Sequence, residues 1–401
     1  MIWINGKLVK SIFQIIFATC VLLFLIEGCT ALIFYHQLKL PGWSVSSAVH
    51  LFISRQALND KFTVEIVEAN TSPNARSLDK LHTVLMKREE DENENTYPSY
   101  LFEPQYHNPS VPYFLGNVAS ANIIYCNENG FFNSWTTDEI GFRNPPSQIN
   151  SPVDYVLIGD SFTAGACEQE DGTIPGFFRS KGLKVANLAR GGSGPLFQLA
   201  TLVEYGHLFQ GDELIWIVFT GNDLANLMEE KGTRLGLYMD KSFSQNLYKQ
   251  RADIQSDLKM FLNTQLKENE ERFLAGIPYP ANVGYGEALD SYGAQKYESK
   301  LLKAVATRIY DVAKEQNKTL RVVILNHHRY DQDFKGITAQ AIKEFAAKKS
   351  VKYLELSSEF LTIHKNFYTK SGTHFNSYGY NEIGRIILGW LESSPLESVE
   401  R

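Results

Sequence analysis

The stretch "DYVLIGDSFTAG", residues 154–165, decides how the chain is read. An apolar run, Tyr155 to Ile158, stops at Gly159, and Asp160 and Ser161 follow at once. The run has the length and composition of a buried strand. Gly, Asp and Ser suit a turn and a helix cap, yet the same order also sets a hydroxyl at the end of a strand. The surrounding pattern separates a cap from a site.

Downstream, apolar strands alternate with helical stretches. Strands are predicted at "KVANLA" (184–189), "ELIWIVFT" (213–220), "LRVVILNHH" (320–328) and "VKYLEL" (351–356), and helices near 173–181, 196–208, 297–316, 337–348 and 377–392. This alternation predicts an α/β fold, a doubly wound, five-stranded parallel sheet with helices on both faces, over residues 151–395. Residues 228–296 exceed what a crossover needs and carry a long helical pattern, an insertion in the position of a lid. Upstream, residues 41–150 are irregular. They hold the charge run "KREEDENEN" (87–95), an aromatic and proline-rich stretch, and short strand patterns in "ANIIYCNENGFF" (121–132) and "EIGFRNPP" (139–146). They are expected to form an accessory, partly β capping region.

The first 40 residues are of another kind. Ile12 to Tyr35 is almost wholly apolar, and 24 residues make a helix of about 36 Å, enough to cross a bilayer. Lys7 and Lys10 precede it and only Lys39 follows closely, which places the N-terminus in the cytoplasm and residues 40–401 outside the inner membrane. A cleaved signal peptide would have a shorter apolar core and a small-residue cleavage site. "IEGC" (26–29) is a poor lipoprotein box because of its glutamate. A single-pass anchor over residues 1–40 is therefore expected.

With 401 residues, 44% hydrophobic content and a formal net charge of −6, the chain has a core to build and no basic footprint for nucleic acid. Of its four cysteines, Cys20 and Cys29 fall in the apolar span. Cys126 and Cys167 remain, either as a disulfide in an oxidising compartment or as buried free thiols. No Cys-x-x-Cys or histidine-rich spacing suggests zinc, and neither metal nor cofactor is expected.

In a doubly wound sheet, ligands bind beyond the carboxyl ends of the strands. There the chain delivers Gly159-Asp160-Ser161, "NLARGGSG" (187–194), "TGNDL" (220–224), "NHHRYDQD" (326–333) and, after the last strand, "YTKSGTHFNSYGY" (368–380). A serine that transfers acyl groups needs a base for its proton and donors for the oxyanion, and this rim holds both kinds of group.

The order of these blocks, over about residues 135–393, resembles the SGNH/GDSL hydrolases. The resemblance implies a flavodoxin-like sheet, with Ser161 as nucleophile and His374 as base. It also implies an oxyanion hole made of the Ser161 and Gly192 N–H groups and the Asn222 amide. Gly192 is preferred over its neighbours because Asn187 stands five residues before it. Asp160 and Asp223 are expected to hold their turns. Ser193 fails as a nucleophile elbow because Pro195 stands where the last glycine belongs, and a dinucleotide fingerprint fails at Phe197. His327 and His328 reach the same rim, but no ligand spacing makes them a metal site with His374.

The chain departs from the family at one point. The aspartate usually found two or three residues before the histidine is replaced by Gly372 or Ser371. A backbone carbonyl or Ser371 orients the ring, or Asp331 or Asp333 reaches it from the neighbouring loop, or the site is catalytically weak. The implied activity is hydrolysis or transfer of acyl esters through an acyl-serine, with acylated cell-envelope or exported polysaccharide as the expected substrate. The rival is a membrane-anchored, catalytically degenerate domain that binds glycan or scaffolds a complex.

Overall fold

The protein is described from a computed structural model. It describes residues 84, 87–88, 95–99, 113–126, 128–129, 132–274, 292–326, 332–370 and 374–394. The chain divides into two compact units, Met1–Ala75 with Leu266–Asn282, and Arg76–Gln265 with Val283–Arg401. Nearly all described residues belong to the second. The apolar span Ile12 to Tyr35 lies outside the described residues, and among those described no helix is long and apolar enough to cross a membrane.

The main sheet has five parallel strands: β4 (Tyr155–Gly159), β5 (Val185–Asn187), β6 (Glu213–Phe219), β7 (Thr319–Leu325) and β8 (Tyr353–Leu356). Their order is β5-β4-β6-β7-β8, so the chain starts near one edge, steps outward once and then reverses. This is the flavodoxin-like order, and its reversal places a crevice at the carboxyl end of β4. Apolar side chains on both faces explain why these strands read as continuous hydrophobic runs. Val156, Ile158, Leu214, Trp216, Val218, Val322 and Ile324 pack to one side of the sheet. Leu157, Ile215, Ile217, Val323 and Leu325, at the intervening positions, pack to the other.

Helices α3 (Pro195–Tyr205), α6 (Tyr292–Glu315) and α7 (Gln332–Lys349) cover the first face, burying Leu199, Leu202, Val305, Ile309 and Ile342. Helices α2 (Ile174–Ser180) and α9 (Ser377–Ser393) cover the second through Phe178, Ile383, Ile387 and Leu391. Between them come α1 (Ser161–Ala164), α4 (Asp223–Glu230), α5 (Arg251–Leu274) and α8 (Ser358–Ile363).

Upstream of β4 lies a three-stranded sheet, β1 (Thr96–Pro98), β2 (Asn122–Ile124) and β3 (Ser134–Thr136), in that order. β1 runs parallel to β2, and β2 antiparallel to β3. Tyr113, Phe114, Leu115, Ile123, Ile140 and Phe142 from this region join the core on the first face of the main sheet. The described part of the insertion is equally tied down. Leu235, Tyr238, Leu247, Leu258 and Leu262 are buried, and the Glu204 carboxylate of α3 accepts hydrogen bonds from the Tyr238 and Ser244 hydroxyls and the Gln245 and Leu247 N–H groups. Residues 234–265 are thus packed against the scaffold through these side chains.

Candidate active site

The nucleophile turn is built by local rules. Gly159 ends β4 where a Cβ would lie 2.8 Å from the Ile217 carbonyl oxygen, so only glycine fits. Asp160 is the N-cap of α1, its carboxylate accepting from the Phe162 N–H at 3.0 Å. Ser161 is the first helical residue, whose N–H has no place in the helix's own ladder. After one turn the helix ends on Gly165, in the left-handed region at φ 74°. Ser161 therefore points from a fixed turn at the carboxyl end of the strand, buried except for 5% of its surface.

His374 Nε2 lies 2.9 Å from Ser161 Oγ. Its Nδ1 lies 2.8 Å from Oε1 of Glu128. The other carboxylate oxygen of Glu128 accepts from the His374 backbone N–H at 2.9 Å and the Thr369 hydroxyl at 2.7 Å. Burial alone would raise the pKa of Glu128. The hydrogen bond and charge of His374, with the Thr369 hydroxyl and the His374 N–H, overcome it and hold the group at about 2. An ionised carboxylate on Nδ1 fixes the tautomer with its proton there, leaving Nε2 free to accept from Ser161. Phe162 lies against the imidazole at a centroid distance of 5.0 Å, with the two rings tilted 41° to each other.

The group facing Nδ1 comes from the capping region and corrects the local expectation. Asp331 and Ser371 lie outside the described residues, as does the side chain of Asp333; the imidazole nitrogen they were expected to bind is held by Glu128. His327 and His328 also lie outside the described residues.

A disulfide carries Glu128 to the site. Cys126 and Cys167 are bonded, joining the segment that bears Glu128 to the loop that leaves the nucleophile helix. Polar contacts reinforce the join: Asn133 donates to the Glu168 carbonyl, Asn129 donates to the Glu168 carboxylate, and Arg143 donates to the carbonyls of Gly165 and Glu168. Arg143 is almost wholly buried, pairs with Glu170 and stacks over Trp135. The capping region is thus bonded to the turn that carries the nucleophile.

Gly192 and Asn222 follow β5 and β6, the two strands that flank β4, so they stand on either side of the Ser161 turn. Gly192 is exposed and adopts φ 69°, a conformation that favours glycine. Asn222 is the N-cap of α4, but its side chain makes no capping bond, and its Oδ1 has no partner among the described residues. The buried hydroxyl of Ser193 has a different use: it donates to the carbonyls of Gly159 and Arg190, clasping the glycine loop to the nucleophile turn. Glu230 accepts from the N–H groups of Gly194, Leu196 and Phe197 and anchors the same loop. Burial pushes Glu230 up to about 8 despite those donors.

Asp160 and Asp223 behave as turn residues. Asp223 accepts from the Phe219 N–H at 2.9 Å and from Gln198. Burial raises both carboxyls, Asp160 to about 6, and Asp160 raises Asp223 further by like charge. A serine hydroxyl, an imidazole and a carboxylate in hydrogen-bonded series, with an N–H at a helix start, can generate an alkoxide-like nucleophile and hold an oxyanion.

The chain was compared with known proteins. The family model described as GDSL-like lipase/acylhydrolase matches residues 155–387. Among solved structures, the psychrotrophic esterase EstA from a Pseudoalteromonas species is 10% identical, with 60% of this chain and 98% of that chain covered and a TM-score of 0.34. The lipase/acylhydrolase from Enterococcus faecalis is 13% identical, with 60% and 96% covered and a TM-score of 0.35. No curated protein matches the chain.

Proposed function

The chain belongs to the GDSL-like lipase/acylhydrolase family and is an ester hydrolase, and from that premise we propose that it works by a Ser161–His374–Glu128 triad on acyl esters of cell-envelope or exported polysaccharide. The observation that carries the catalytic part is the unbroken series from Ser161 Oγ through His374 to Glu128, at 2.9 and 2.8 Å.

Ser161 Oγ attacks the ester carbonyl while His374 Nε2 takes its proton, and Glu128 stabilises the imidazolium that forms. The oxyanion is met by the N–H groups of Ser161 and Gly192 and the Asn222 amide. The imidazolium then protonates the departing alcohol, leaving acyl-Ser161. Water, activated by the same imidazole, releases the acid; a sugar hydroxyl in its place would make the reaction an O-acyl transfer.

The substrate class follows from location. The apolar span Ile12 to Tyr35 behind Lys7 and Lys10 supports an inner-membrane anchor with the catalytic domain outside. The Cys126–Cys167 bond suits an oxidising compartment. A tethered outward domain meets acylated polysaccharide before it meets cytoplasmic esters.

A fluorophosphonate probe tests the nucleophile: the full chain should be labelled and Ser161→Ala should not. Labelling that survives in Ser161→Ala would remove Ser161 from the role. For the substrate, acetate release from O-acetylated exported polysaccharide should exceed that from short lipid esters at equal acyl concentration, and the reverse order would reassign it. Protease added to spheroplasts should degrade residues 40–401; full protection would reverse the topology.

A further inference from the structure

One cluster joins two triad residues to two sulfurs for which the hydrolytic reaction has no use. The sulfurs of Cys126 and Cys167, a Glu128 carboxylate oxygen and a His374 ring nitrogen all lie within 4.8 Å of one another. We propose that, when the Cys126–Cys167 disulfide is opened, its two thiolates, Glu128 and His374 Nδ1 hold one divalent cation of the zinc class, and that loading this site disables the base that activates Ser161. The binding half stands on the donor cluster alone. The inhibitory half rests on the reading of His374 as the base.

The geometry is close to what such a cation requires. Zinc bonds of about 2.3 Å to sulfur and 2.0–2.1 Å to nitrogen, at a tetrahedral angle, set those atoms about 3.6 Å apart. Cys167 Sγ already lies 3.6 Å from His374 Nδ1. The Glu128 oxygen, now 2.8 Å from the same nitrogen, needs to retreat by about 0.5 Å to take a third vertex. Once the S–S bond is gone, rotation about Cα–Cβ separates two sulfurs whose Cα atoms are 4.8 Å apart. The second oxygen of Glu128 keeps its Thr369 and His374 N–H partners, which orient the ligand from behind. Two thiolates, an imidazole and a carboxylate suit zinc or cobalt, not magnesium or calcium.

The chemistry balances with a phosphine as reductant. The phosphine attacks one sulfur, the S–S bond breaks, water supplies the oxygen of the phosphine oxide, and each sulfur gains a proton. Binding of the cation then expels both thiol protons. The lone pair of Nδ1 goes to the metal, so the proton of the neutral imidazole must sit on Nε2. That nitrogen now donates to Ser161 Oγ and has no lone pair with which to accept. In the oxidised chain the sulfurs are spent on each other, and the disulfide keeps metal away from the imidazole.

Cobalt(II) added to the phosphine-reduced full chain tests this, because thiolate-bound tetrahedral cobalt gives charge-transfer and visible absorption bands. One equivalent should produce both bands in the reduced chain and none in the oxidised chain. The bands should vanish in Cys126→Ser/Cys167→Ser, and should weaken with lower affinity in Glu128→Gln. Hydrolysis of a chromogenic ester by the reduced chain should fall about a hundredfold on loading with zinc, as expected for loss of a general base, and should return with a chelator.

Absence of the bands overturns the proposal, whether the reduced chain keeps its near-ultraviolet circular dichroism or loses it. Bands that persist in the double serine variant overturn it too, since the cation then sits elsewhere. For bands without inhibition, His374→Ala separates the two halves: bands unchanged in that variant overturn the proposal, because Nδ1 is then no ligand, and bands weakened in it keep the site and refute only the reading of His374 as base.

Discussion

Glu128 and His374 are 246 positions apart in the chain and meet at 2.8 Å. The acid that completes the hydrogen-bonded series therefore comes from a region folded against the hydrolase sheet, and not from the loop that carries the histidine. Glu128→Gln should lower kcat by about a hundred- to ten-thousandfold with little change in KM, because the carboxylate acts on an imidazolium that exists in the transition state. Asp331→Asn and Asp333→Asn should be nearly silent in the same ester assay. A loss in either aspartate variant as large as in Glu128→Gln would return the role to the neighbouring loop.

Asn222 gives a separate handle on the oxyanion. Its side chain is not spent on capping α4, which leaves the amide for substrate. Asn222→Ala should reduce kcat by about 10²–10³ while fluorophosphonate still labels Ser161. An unchanged kcat would leave the hole to backbone donors alone.

Acid should reveal Glu128 in stability as well as in rate. Its folded pKa is depressed to about 2 from an ordinary 4.5, so between these values the unfolded chain binds the extra proton. The contribution is whole above 4.5 and is lost as pH falls through about 2; the shift corresponds to roughly 3 kcal/mol. Urea unfolding of the wild type and Glu128→Gln should show their stability difference shrinking over that window. A difference independent of pH would mean that Glu128 is not ionised against His374.

The disulfide closes a loop of sequence separation 41, for which loop-closure entropy gives a stabilisation of about 4 kcal/mol. Cys126→Ser/Cys167→Ser should lower the melting temperature, and its ester hydrolysis should fall even at temperatures where it stays folded, because Glu128 is two residues from the lost bond. Full activity in a folded double variant would show that the polar contacts of Asn129, Asn133 and Arg143 suffice to place Glu128.

Much of this arrangement is legible in the sequence. Continuous apolar runs announce parallel strands buried on both faces, and the residues that end them announce the rim. Ser161, Gly192, Asn222 and His374 are found there because each sits at a fixed place relative to a strand. Glu128 carries no such mark. It stands in "CNENG", a polar turn in an irregular region, one carboxylate among many. The available signal is indirect: pairing Cys126 with Cys167 brings whatever follows Cys126 within reach of the Ser161 turn. The attachment of the insertion is hidden for a related reason: it runs through Glu204, which lies on α3 and shows no sequence relation to residues 238–247.

The family match begins at residue 155, downstream of Glu128. The borders of the family match and of the hydrogen-bonded series Ser161–His374–Glu128 therefore differ in this chain. A fragment cut to the first would still hold all five parallel strands, the serine and the histidine, and would look complete to anyone comparing folds. It would lack the carboxylate that faces His374 Nδ1. The positions just before His374 carry no carboxylate of their own, so a trimmed chain meant to keep the contact at Nδ1 has to begin before Cys126.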